Sequence, residues 1–321
     1  MKTSSYFNMI KSEDNNGPLV SVVVITYNSA KTVLETLDSI KTQTYQNIEL
    51  IISDDCSQDD SVIICNQWIE KNRERFTRAL IIESTYNTGT AANMNRAISA
   101  SKGEWFKVCA ADDKLLQNCL EDNLNYVIDH PETNIIFSKV VGFGNMEAAR
   151  EWPYLNVKRF FDKFDAKRFR VILSTQNFLP APSAFIKRCV WENVGGYNES
   201  IPLLEDWPFW VKVLQYGYVF DFLDKETVCY RFSDSSISQG NKPLSREYLD
   251  SNSKAAIFAN KSLAKIDGYF WYLYQTRRFV YRLNRHLTPV LLLMNFFNPA
   301  YYEFRNTIRK FQIITKEFIT F

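Results

Sequence analysis

Neighbouring acidic residues occur in pairs at three points of the chain, each beside a strongly apolar segment. The pairs are Asp54-Asp55 after IELIIS, Asp112-Asp113 after WFKVCAA, and Glu205-Asp206 before WPFWVKVLQYGY. A carboxylate can accept hydrogen bonds from a base or ribose, bind a divalent cation, or take a proton from an attacking hydroxyl. The three pairs are therefore candidates for nucleotide binding, metal binding and general-base catalysis.

Each acidic pair also has a purely structural interpretation. An acid directly ahead of a helix can cap it, so Asp112 would cap the helix predicted by LLQNCLEDNLNYVI. Asp54, Asp55 and Asp59 would cap the helix predicted by SVIICNQWIEKN in the same way. The pair Glu205-Asp206 would be favoured at a helix N-terminus by the macrodipole. Each pair alone fits a cap as well as a catalytic site, and the order of all three favours catalysis.

Four apolar segments predict strands that alternate with helices. They are LVSVVVITYN at 19–28, IELIISDD at 48–55, ALIIEST at 79–85 and WFKVCA at 105–110. Nearly unbroken β-branched strands are typical of a parallel sheet covered on both faces, and the alternation predicts an α/β fold. Parallel strands end at one edge of the sheet, where ligands bind. The first two acidic pairs are expected to share that edge.

The second half of the chain has a looser pattern. NIIFSKVVGFG, at 134–144, predicts one more strand, and WPFWVKVLQYGY predicts an amphipathic helix. Five prolines break the region between about 150 and 210 into short elements, at positions 153, 180, 182, 202 and 208. Such a region suits a binding site built from loops.

Composition limits the class of protein. The chain has 321 residues, of which 46% are hydrophobic and 23% charged, as in globular proteins. Six cysteines without a CxxC pair and only two histidines make a structural zinc site unexpected. Reduced thiols and the lack of an apolar core in residues 1–18 predict a cytoplasmic location. The longest strongly apolar window, 287–297, is shorter than the ~20 residues of a membrane span.

The C-terminal segment from 268 to 321 is basic and aromatic. It carries eight Lys or Arg and two Glu, a net charge of +6, which leaves −4 for the remainder. We expect residues around GYFWYLYQTRRFVYRLNRH to lie on the inner membrane surface, because basic and aromatic side chains favour anionic lipid. The alternative is a helical pair that packs on the catalytic domain or on a second subunit of a homodimer. Nothing upstream supports nucleic-acid binding.

The sequence resembles family 2 glycosyltransferases with the GT-A fold, over about residues 19–238. The resemblance is carried by VSVVVITYN, LDSIKTQTYQNIELIISDDCSQDDS, NTGTAANMNRAISASKGEWFKVCAADD, GGYNESIPLLEDWPFW and YRFSDSSIS. It implies an α/β fold with a Rossmann-like, mostly parallel sheet. It also implies inverting transfer of a sugar from a nucleotide-diphosphate donor, a UDP-sugar, to a hydroxyl of a lipid-linked glycan acceptor in surface polysaccharide or lipopolysaccharide biosynthesis.

The resemblance also implies a domain organisation and a location. We expect a flexible arm at 1–18, a GT-A catalytic domain at 19–240 and a helical, basic and aromatic extension at 241–321. Within the catalytic domain, 19–145 would bind the nucleotide-sugar and 146–240 the acceptor. A lipid-linked acceptor would place the protein at the inner face of the cytoplasmic membrane.

Individual roles follow from the same resemblance. Asp206 matches the catalytic base. Asp55 is expected to accept a hydrogen bond from the pyrimidine, and Asp54 to support its turn. Mn²⁺ or Mg²⁺ is expected on Asp112, with Asp113 as a neighbouring ligand. The residues expected to bind the nucleotide are Thr26, Tyr27, Asn28, Asp54, Asp55, Asn87, Gly89, Ala111, Asp112 and Arg231.

The chain departs from the family pattern at four positions. Ala110 replaces the first acid of the DxD motif, which weakens the expected metal affinity. Cys56 replaces a glycine, Ser233 a histidine near the donor, and Met94 an arginine of the loop helix. Arg96 lies two residues later, and we do not assign it that arginine's role.

Two other functions compete with sugar transfer. A nucleotidyltransferase would also use an α/β domain and metal-binding carboxylates, but the first strand runs into ITYNSAKT without a glycine- and basic-rich phosphate loop. A degenerate transferase that binds a nucleotide or glycan without turnover would explain Ala110 and Ser233. The retained Glu205-Asp206 argues against it, because a pure binder has no use for a base.

Overall fold

A computed structural model describes residues 17–145, 157–175, 177–201, 203–233 and 246–263, together with 271, 275 and 278. The chain divides into two compact units, residues 1–255 and 256–321. Most of the predicted N-terminal arm and of the basic aromatic segment lies outside the described residues. The predicted boundaries at 18/19 and 240/241 stay predictions. No helix of the described residues is long and apolar enough to span a membrane.

The first half of the chain alternates strands and helices as the hydrophobic pattern predicts. Four strands follow one another, β1 (Val20–Thr26), β2 (Ile48–Asp54), β3 (Arg78–Glu83) and β4 (Trp105–Ala110). Between them lie the helices α1 (Val33–Lys41), α2 (Ser61–Asn72) and α3 (Thr90–Ala100). The predicted α/β alternation is confirmed.

After the second acidic pair the chain forms more of the same sheet. A short strand β5 (Lys114–Leu115) precedes α4 (Cys119–Asp129) and β6 (Ile135–Gly144). The remaining helices are α5 (Lys158–Lys163), α6 (Ala166–Thr175), α7 (Arg188–Val194), α8 (Asp206–Gln215) and α9 (Arg246–Leu263). The strands β7 (Phe185–Lys187) and β8 (Asp221–Phe232), like β5, were not predicted from the sequence.

The eight strands form one sheet in the order β3-β2-β1-β4-β7-β6-β8-β5. β1, β2, β3 and β4 pair in parallel, and β7 runs antiparallel to both β4 and β6. Since β8 is parallel to β6 and β5 antiparallel to β8, all strands except β5 and β7 point the same way. The carboxyl ends of β1, β2, β4, β6 and β8 therefore lie along one edge.

Alternate residues of the central strands pack against helices on opposite faces. Val20, Val22 and Val24 of β1 share a core cluster with Val33 and Leu37 of α1. The residues between them point to the other face, because side chains alternate along a strand. There α3 packs on β1 and β2 with its own buried apolar residues, Ala91, Met94, Ala97 and Ile98. Coverage of both faces explains the nearly unbroken apolar strands.

A buried lysine connects β4 to the second half of the chain. Lys107 is fully buried, and its Nζ donates to the carbonyl oxygens of Pro182 (2.6 Å) and Ala184 (3.2 Å). Burial lowers the pKa of Lys107. A lysine in a buried strand is tolerated only when its ammonium is hydrogen-bonded, so this contact holds the turn that leads into β7.

Candidate functional site

The first two acidic pairs lie at one sheet edge, as the strand order predicts. The pairing of β1 with β2 sets Thr26 beside Asp54, and the pairing of β1 with β4 sets Ile25 beside Ala110. The backbone N–H groups of Asp55 and Ala111 continue this ladder to the carbonyl oxygens of Thr26 and Ile25, each at 3.0 Å. Both acidic pairs therefore flank the end of β1.

Asp54 holds the turn that follows β2. It accepts hydrogen bonds from the backbone N–H (2.8 Å) and the hydroxyl (2.5 Å) of Ser57. Two hydrogen bonds join that turn to the end of β1. Asn28 N–H donates to Ser57 Oγ and Asn28 Oδ1 accepts from Gln58 N–H, both at 2.8 Å. Cys56 takes φ +69°, which fits the glycine expected from the family pattern.

Asp55 is turned toward the loop before α3. It is 3% exposed, and its carboxylate accepts from Thr88 N–H (3.0 Å), Thr88 Oγ1 (2.5 Å) and Gly89 N–H (2.7 Å). Arg96 Nη2 lies 3.5 Å from the same carboxylate and donates to Thr88 Oγ1 at 2.6 Å. In this arrangement Asp55 organises the Asn87–Gly89 loop, and its contact with a pyrimidine stays a prediction.

Other predicted nucleotide ligands surround this loop edge. The Tyr27 side chain is about half exposed and Asn87 is exposed, with Asn87 Oδ1 accepting from Gly89 N–H at 3.1 Å. Thr26 Oγ1 is buried and has no hydrogen-bond partner among the described residues. Gly89 at φ +85° lets the chain turn sharply into α3. Arg96 lies in this group, and sequence reasoning had left it without a role.

Asp112 and Asp113 differ in environment although they are adjacent. Asp113 is 1% exposed, and its Oδ1 accepts from Arg231 N–H at 2.9 Å. Its Oδ2 is buried without a partner in the described parts of the chain. Burial raises the pKa of Asp113 well above its usual range, and the neighbouring Asp112 adds to the effect. Asp112 is partly exposed, and burial raises its pKa while Arg231 opposes the rise.

Helix capping does not account for Asp112 or for the Asp54-Asp55 pair. The helix after Asp112 begins only at Cys119, behind β5, and its N-cap residue is Asn118. Helix α2 has Asp60 at its N-cap without a side-chain cap bond. Asp59 is the exception, since its carboxylate accepts from Ser61 N–H and from Ala30 N–H, each at 3.0 Å. Asp59 therefore stabilises the start of α2, whereas the acidic pairs lie apart from it.

The sheet edge at the carboxyl ends of β1, β2, β4, β6 and β8, where the sugar donor is expected (the donor edge), also gathers positive charge. Arg231 Nε donates to the carbonyl oxygen of Asp112 at 2.8 Å, and its Nη2 lies 2.9 Å from Glu35 Oε2. Lys114 Nζ lies 3.5 Å from the same Glu35 oxygen. Both cations lie over the ring of Phe143, 4.1 Å away for Lys114 Nζ and 4.4 Å for Arg231 Cζ. The hydrogen bond from Arg231 holds the pKa of Glu35 below its usual value.

Asp112 and Asp113 fit a divalent ion only when a bound ligand supplies further oxygen atoms. Within the described residues no group of three or more His, Cys, Asp or Glu is placed to hold a metal. The unpartnered Asp113 Oδ2 beside Asp112 nevertheless supplies oxygen chemistry suited to Mg²⁺ or Mn²⁺. Such ions are commonly held by one or two carboxylates together with substrate phosphates.

The third acidic pair begins helix α8. Asp206 Oδ2 accepts from Asn177 Nδ2 at 2.6 Å, and Oδ1 accepts from the backbone N–H of Trp207 at 2.7 Å. Burial raises the pKa of Glu205 to about 8, and the charge of Asp206 adds to the shift. Burial also raises the pKa of Asp206, while its two hydrogen bonds oppose the rise. Asp206 is therefore the member of the pair better suited to carry the negative charge.

Residues far apart in the sequence position this carboxylate. Asn177 comes from the segment between α6 and β7, and Trp207 Nε1 fixes α8 to α6 through the Leu173 carbonyl at 2.6 Å. Burial raises the pKa values of two nearby phenols, Tyr197 and Tyr248, and the Asp206 charge adds to both shifts. No local signal in the sequence identifies Asn177 or Tyr248 as neighbours of Asp206.

The Asn95 side chain connects helix α3, which begins after the Asn87–Gly89 loop, to the segment that precedes Asp206. Asn95, on α3, accepts from Tyr197 N–H at 2.9 Å through Oδ1 and donates to the Tyr197 carbonyl at 3.0 Å. The same amide donates to Glu199 at 2.8 Å. Because α3 begins at the Asn87–Gly89 loop, the GGYNES segment is held on the helix that starts at the donor edge.

Comparison with known proteins agrees with this architecture. A similar relative is WfaP of Escherichia coli, named as a UDP-Glc:alpha-D-GlcNAc-diphosphoundecaprenol beta-1,3-glucosyltransferase. It is 25% identical over 222 residues, which cover 68% of this chain and 80% of WfaP.

Two solved structures share the fold. TarS 1–349 of S. aureus in complex with UDP superposes with a TM-score of 0.58 at 19% identity, over 76% of this chain and 65% of the TarS chain. The mannosyltransferase PcManGT of Pyrobaculum calidifontis, in complex with GDP-Man and Mn²⁺, gives 0.54 at 15% identity. That match covers 94% of this chain and 90% of PcManGT.

The family model described as glycosyl transferase family 2 matches residues 21–193, more than half of the chain. This span contains the acidic pairs Asp54-Asp55 and Asp112-Asp113 and the α3 helix. The mixed eight-stranded sheet with its helices agrees with the expected GT-A architecture. The chain belongs to glycosyl transferase family 2 and is a glycosyltransferase with the GT-A fold.

Proposed function

We propose that this glycosyltransferase moves a sugar from a UDP-sugar to a hydroxyl of a lipid-linked glycan, with inversion, in surface polysaccharide biosynthesis. The observation that carries the proposal is the Asp206 carboxylate, which lies beside Glu205 and is oriented by Asn177 and the Trp207 amide. A carboxylate with a raised pKa accepts a proton more readily, and the two hydrogen bonds fix its orientation. The name of WfaP, a relative that uses UDP-Glc and a diphosphoundecaprenol acceptor, supports the donor and acceptor classes.

In the proposed reaction, Asp206 accepts the proton of the acceptor hydroxyl as its oxygen bonds to the anomeric carbon. The bond from that carbon to the nucleotide diphosphate breaks on the opposite face, which inverts the configuration. General-base assistance of this kind contributes ~10²–10⁴-fold to the rate. Asn177 keeps Oδ2 oriented during the transfer, and Arg231 lies near the leaving diphosphate.

Asp112 and Asp113 are the residues proposed to hold a divalent cation, Mn²⁺ or Mg²⁺. When bound, the ion supplies positive charge that stabilises the leaving diphosphate. The nucleoside is proposed to lie over the end of β1, against Thr26, Tyr27 and Asn28. The loop at Asn87 and Gly89 would border it, with Ala111 behind the diphosphate.

The proposed lipid-linked acceptor is reached at the inner face of the cytoplasmic membrane. The C-terminal segment, with its net charge of +6 and its aromatic residues, is proposed to bind that surface. Basic and aromatic residues together favour the interface between lipid headgroups and acyl chains. A homodimer through the same segment is the alternative use of these side chains.

Calorimetric titration with UDP tests the donor site. We expect the wild-type chain to bind UDP more tightly with Mn²⁺ present, because the cation joins the carboxylates to the diphosphate. Asp112→Asn should lose that metal-dependent increment. Asp224→Asn is the matched control, because Asp224 is an exposed acid paired with Lys139 away from the donor edge.

Two outcomes would contradict the proposal. An Asp112→Asn variant that retains the full effect of Mn²⁺ would place the metal elsewhere. A wild-type chain that binds no UDP with or without Mn²⁺ would exclude a UDP-sugar donor and direct the search to other nucleotides.

A further inference from the structure

Lys114 and Arg231 form a cationic cluster. The proposed mechanism uses Arg231 and gives Lys114 no role. Their charged groups lie over one ring, Phe143, and share one anion, Glu35. Lys114, Arg231 and Glu35 together carry a net charge of +1, and the Asp112-Asp113 pair lies beside Arg231. Placing two cations side by side costs free energy, and a highly charged anion bound to both would offset that cost.

The cluster lies at the edge where the donor is expected. Phe143 and Arg231 are near the carboxyl ends of β6 and β8, and these strands run in the same direction as β1 and β4. Arg231 is fixed beside the acidic pair by its bonds to the Asp112 carbonyl and the Asp113 carboxylate. Lys114 follows that pair directly in the chain. Both cations are therefore next to the place proposed for the diphosphate.

Glu35 is the exchangeable part of the cluster. Its side chain is 49% exposed, whereas those of Lys114 and Arg231 are 34% and 19% exposed. It comes from the first turn of α1, and its carboxylate accepts hydrogen bonds from Lys114 and Arg231. An incoming phosphate can replace a half-exposed carboxylate, while Arg231 stays in place through Nε and its backbone N–H.

Two departures from the family motif increase the need for positive side chains at this site. Ala110 removes one acid of the DxD motif, and Ser233 occupies the position of a histidine near the donor. Both changes reduce the number of groups that could retain a metal ion. Charge on the diphosphate must then be compensated to a greater extent by side-chain cations.

We propose that Lys114 is a diphosphate-binding residue that acts with Arg231, and that Glu35 occupies their site until the diphosphate displaces it. The proposal rests on the proposed donor class, a nucleoside diphosphate. It requires no metal ion, so it predicts measurable binding of the diphosphate in the presence of EDTA.

The test is calorimetric titration with inorganic pyrophosphate, UDP and uridine, all in EDTA. We expect Lys114→Met to weaken pyrophosphate and UDP binding about tenfold and to leave uridine binding unchanged, since the lost contact is charge-assisted and is made to phosphate alone. Glu35→Gln should strengthen pyrophosphate binding several-fold, because the competing anion is gone. Lys114→Arg should retain binding and shows that charge, rather than folding, is responsible.

Lys225→Met is the matched control. Lys225 is on β8 like Arg231 and forms one ion pair, with Asp122, away from the acidic pair at the donor edge. It should leave all three titrations unchanged. Wild-type pyrophosphate affinity in Lys114→Met, or absence of pyrophosphate binding to the wild type in EDTA, overturns the inference. Mn²⁺-dependent UDP binding in that last case would still support the proposed donor class, so the two failures are distinguishable.

Discussion

Asp206 illustrates how a single carboxylate is prepared for base catalysis. Burial disfavours its charge, and hydrogen bonds from Trp207 and Asn177 favour it. Opposed influences of this kind bring the pKa of an acid toward the range in which it can both hold and accept a proton. Burial and the charge of Asp206 raise the pKa of Glu205 to about 8, which disfavours ionisation of both acids together.

Asp206→Asn should reduce turnover ~10²–10⁴-fold while donor binding changes little, because the amide retains the shape but cannot accept the proton. In the wild type, turnover should fall as the pH decreases through the raised pKa of Asp206, since only the ionised carboxylate acts as a base. The measurements are steady-state turnover from pH 5 to 9 and UDP calorimetry. Asp224→Asn should behave as the wild type, and full activity of Asp206→Asn would refute the assignment.

At the scale of secondary-structure elements, the centre of the sheet depends on how closely β1 and β4 approach. The turn between α3 and β4 passes directly over β1, where Gly103 N–H donates to Ser21 Oγ and to Glu49 Oε1, each at 2.8 Å. A Cβ at Gly103 would lie 2.6 Å from Ser21 N and 2.8 Å from the Trp105 carbonyl oxygen. Backbone atoms on both sides leave no space for a side chain.

Gly103→Ala should therefore destabilise the protein by about 1–3 kcal/mol, the usual cost of overpacking. Chemical denaturation of the two chains measures the difference. Lys102→Ala is the control in the same turn, because the Lys102 side chain is exposed and its removal should change stability by less than about 0.5 kcal/mol. Equal stability of Gly103→Ala and the wild type would show that β1 and β4 can separate without cost.

The elements that the sequence pattern missed share a physical cause. β8 carries the charged run Asp224 to Glu226, where its register with β6 shifts, so its apolar alternation is broken. β5 and β7 have two and three residues, which is too short for a periodic signal. The strands β1, β2 and β4 were predicted because each is buried on both faces and its apolar run is local, and the partly buried edge strand β3 has an equally local apolar run.

At the scale of the whole molecule, charge is unevenly distributed along the chain. Residues 268–321 carry +6 and the remainder −4. A basic and aromatic segment on a weakly acidic body is attracted to anionic lipid while the body is repelled. This distribution is consistent with an enzyme whose acceptor is carried on a membrane lipid.

Vesicle co-sedimentation of the full chain tests this expectation. Replacing Arg277, Arg278, Arg282 and Arg285 with Gln should reduce binding to vesicles of anionic phospholipid at least tenfold, since each basic residue contributes ~1 kcal/mol near the surface. Binding to neutral vesicles should be weak for both chains. The control replaces four lysines of the body with Gln, Lys139, Lys158, Lys187 and Lys225. If both variants lose vesicle binding equally, or neither loses it, these arginines do not bind the membrane. Packing on the catalytic domain or dimerisation is then the remaining interpretation.

The sequence by itself determined the α/β class, the bounds of the first four strands within a few residues and the meeting of two acidic pairs at one edge. It could do so because hydrophobic periodicity is local and parallel strands end on the same side. The tertiary structure alone decided how each acid is used. It turned Asp55 onto the Thr88–Gly89 loop, brought Asn177 to Asp206, and gathered Glu35, Lys114 and Arg231 on Phe143. These contacts join residues 29 to 196 positions apart, and no pattern along the chain encodes a pairing that only the packed fold creates.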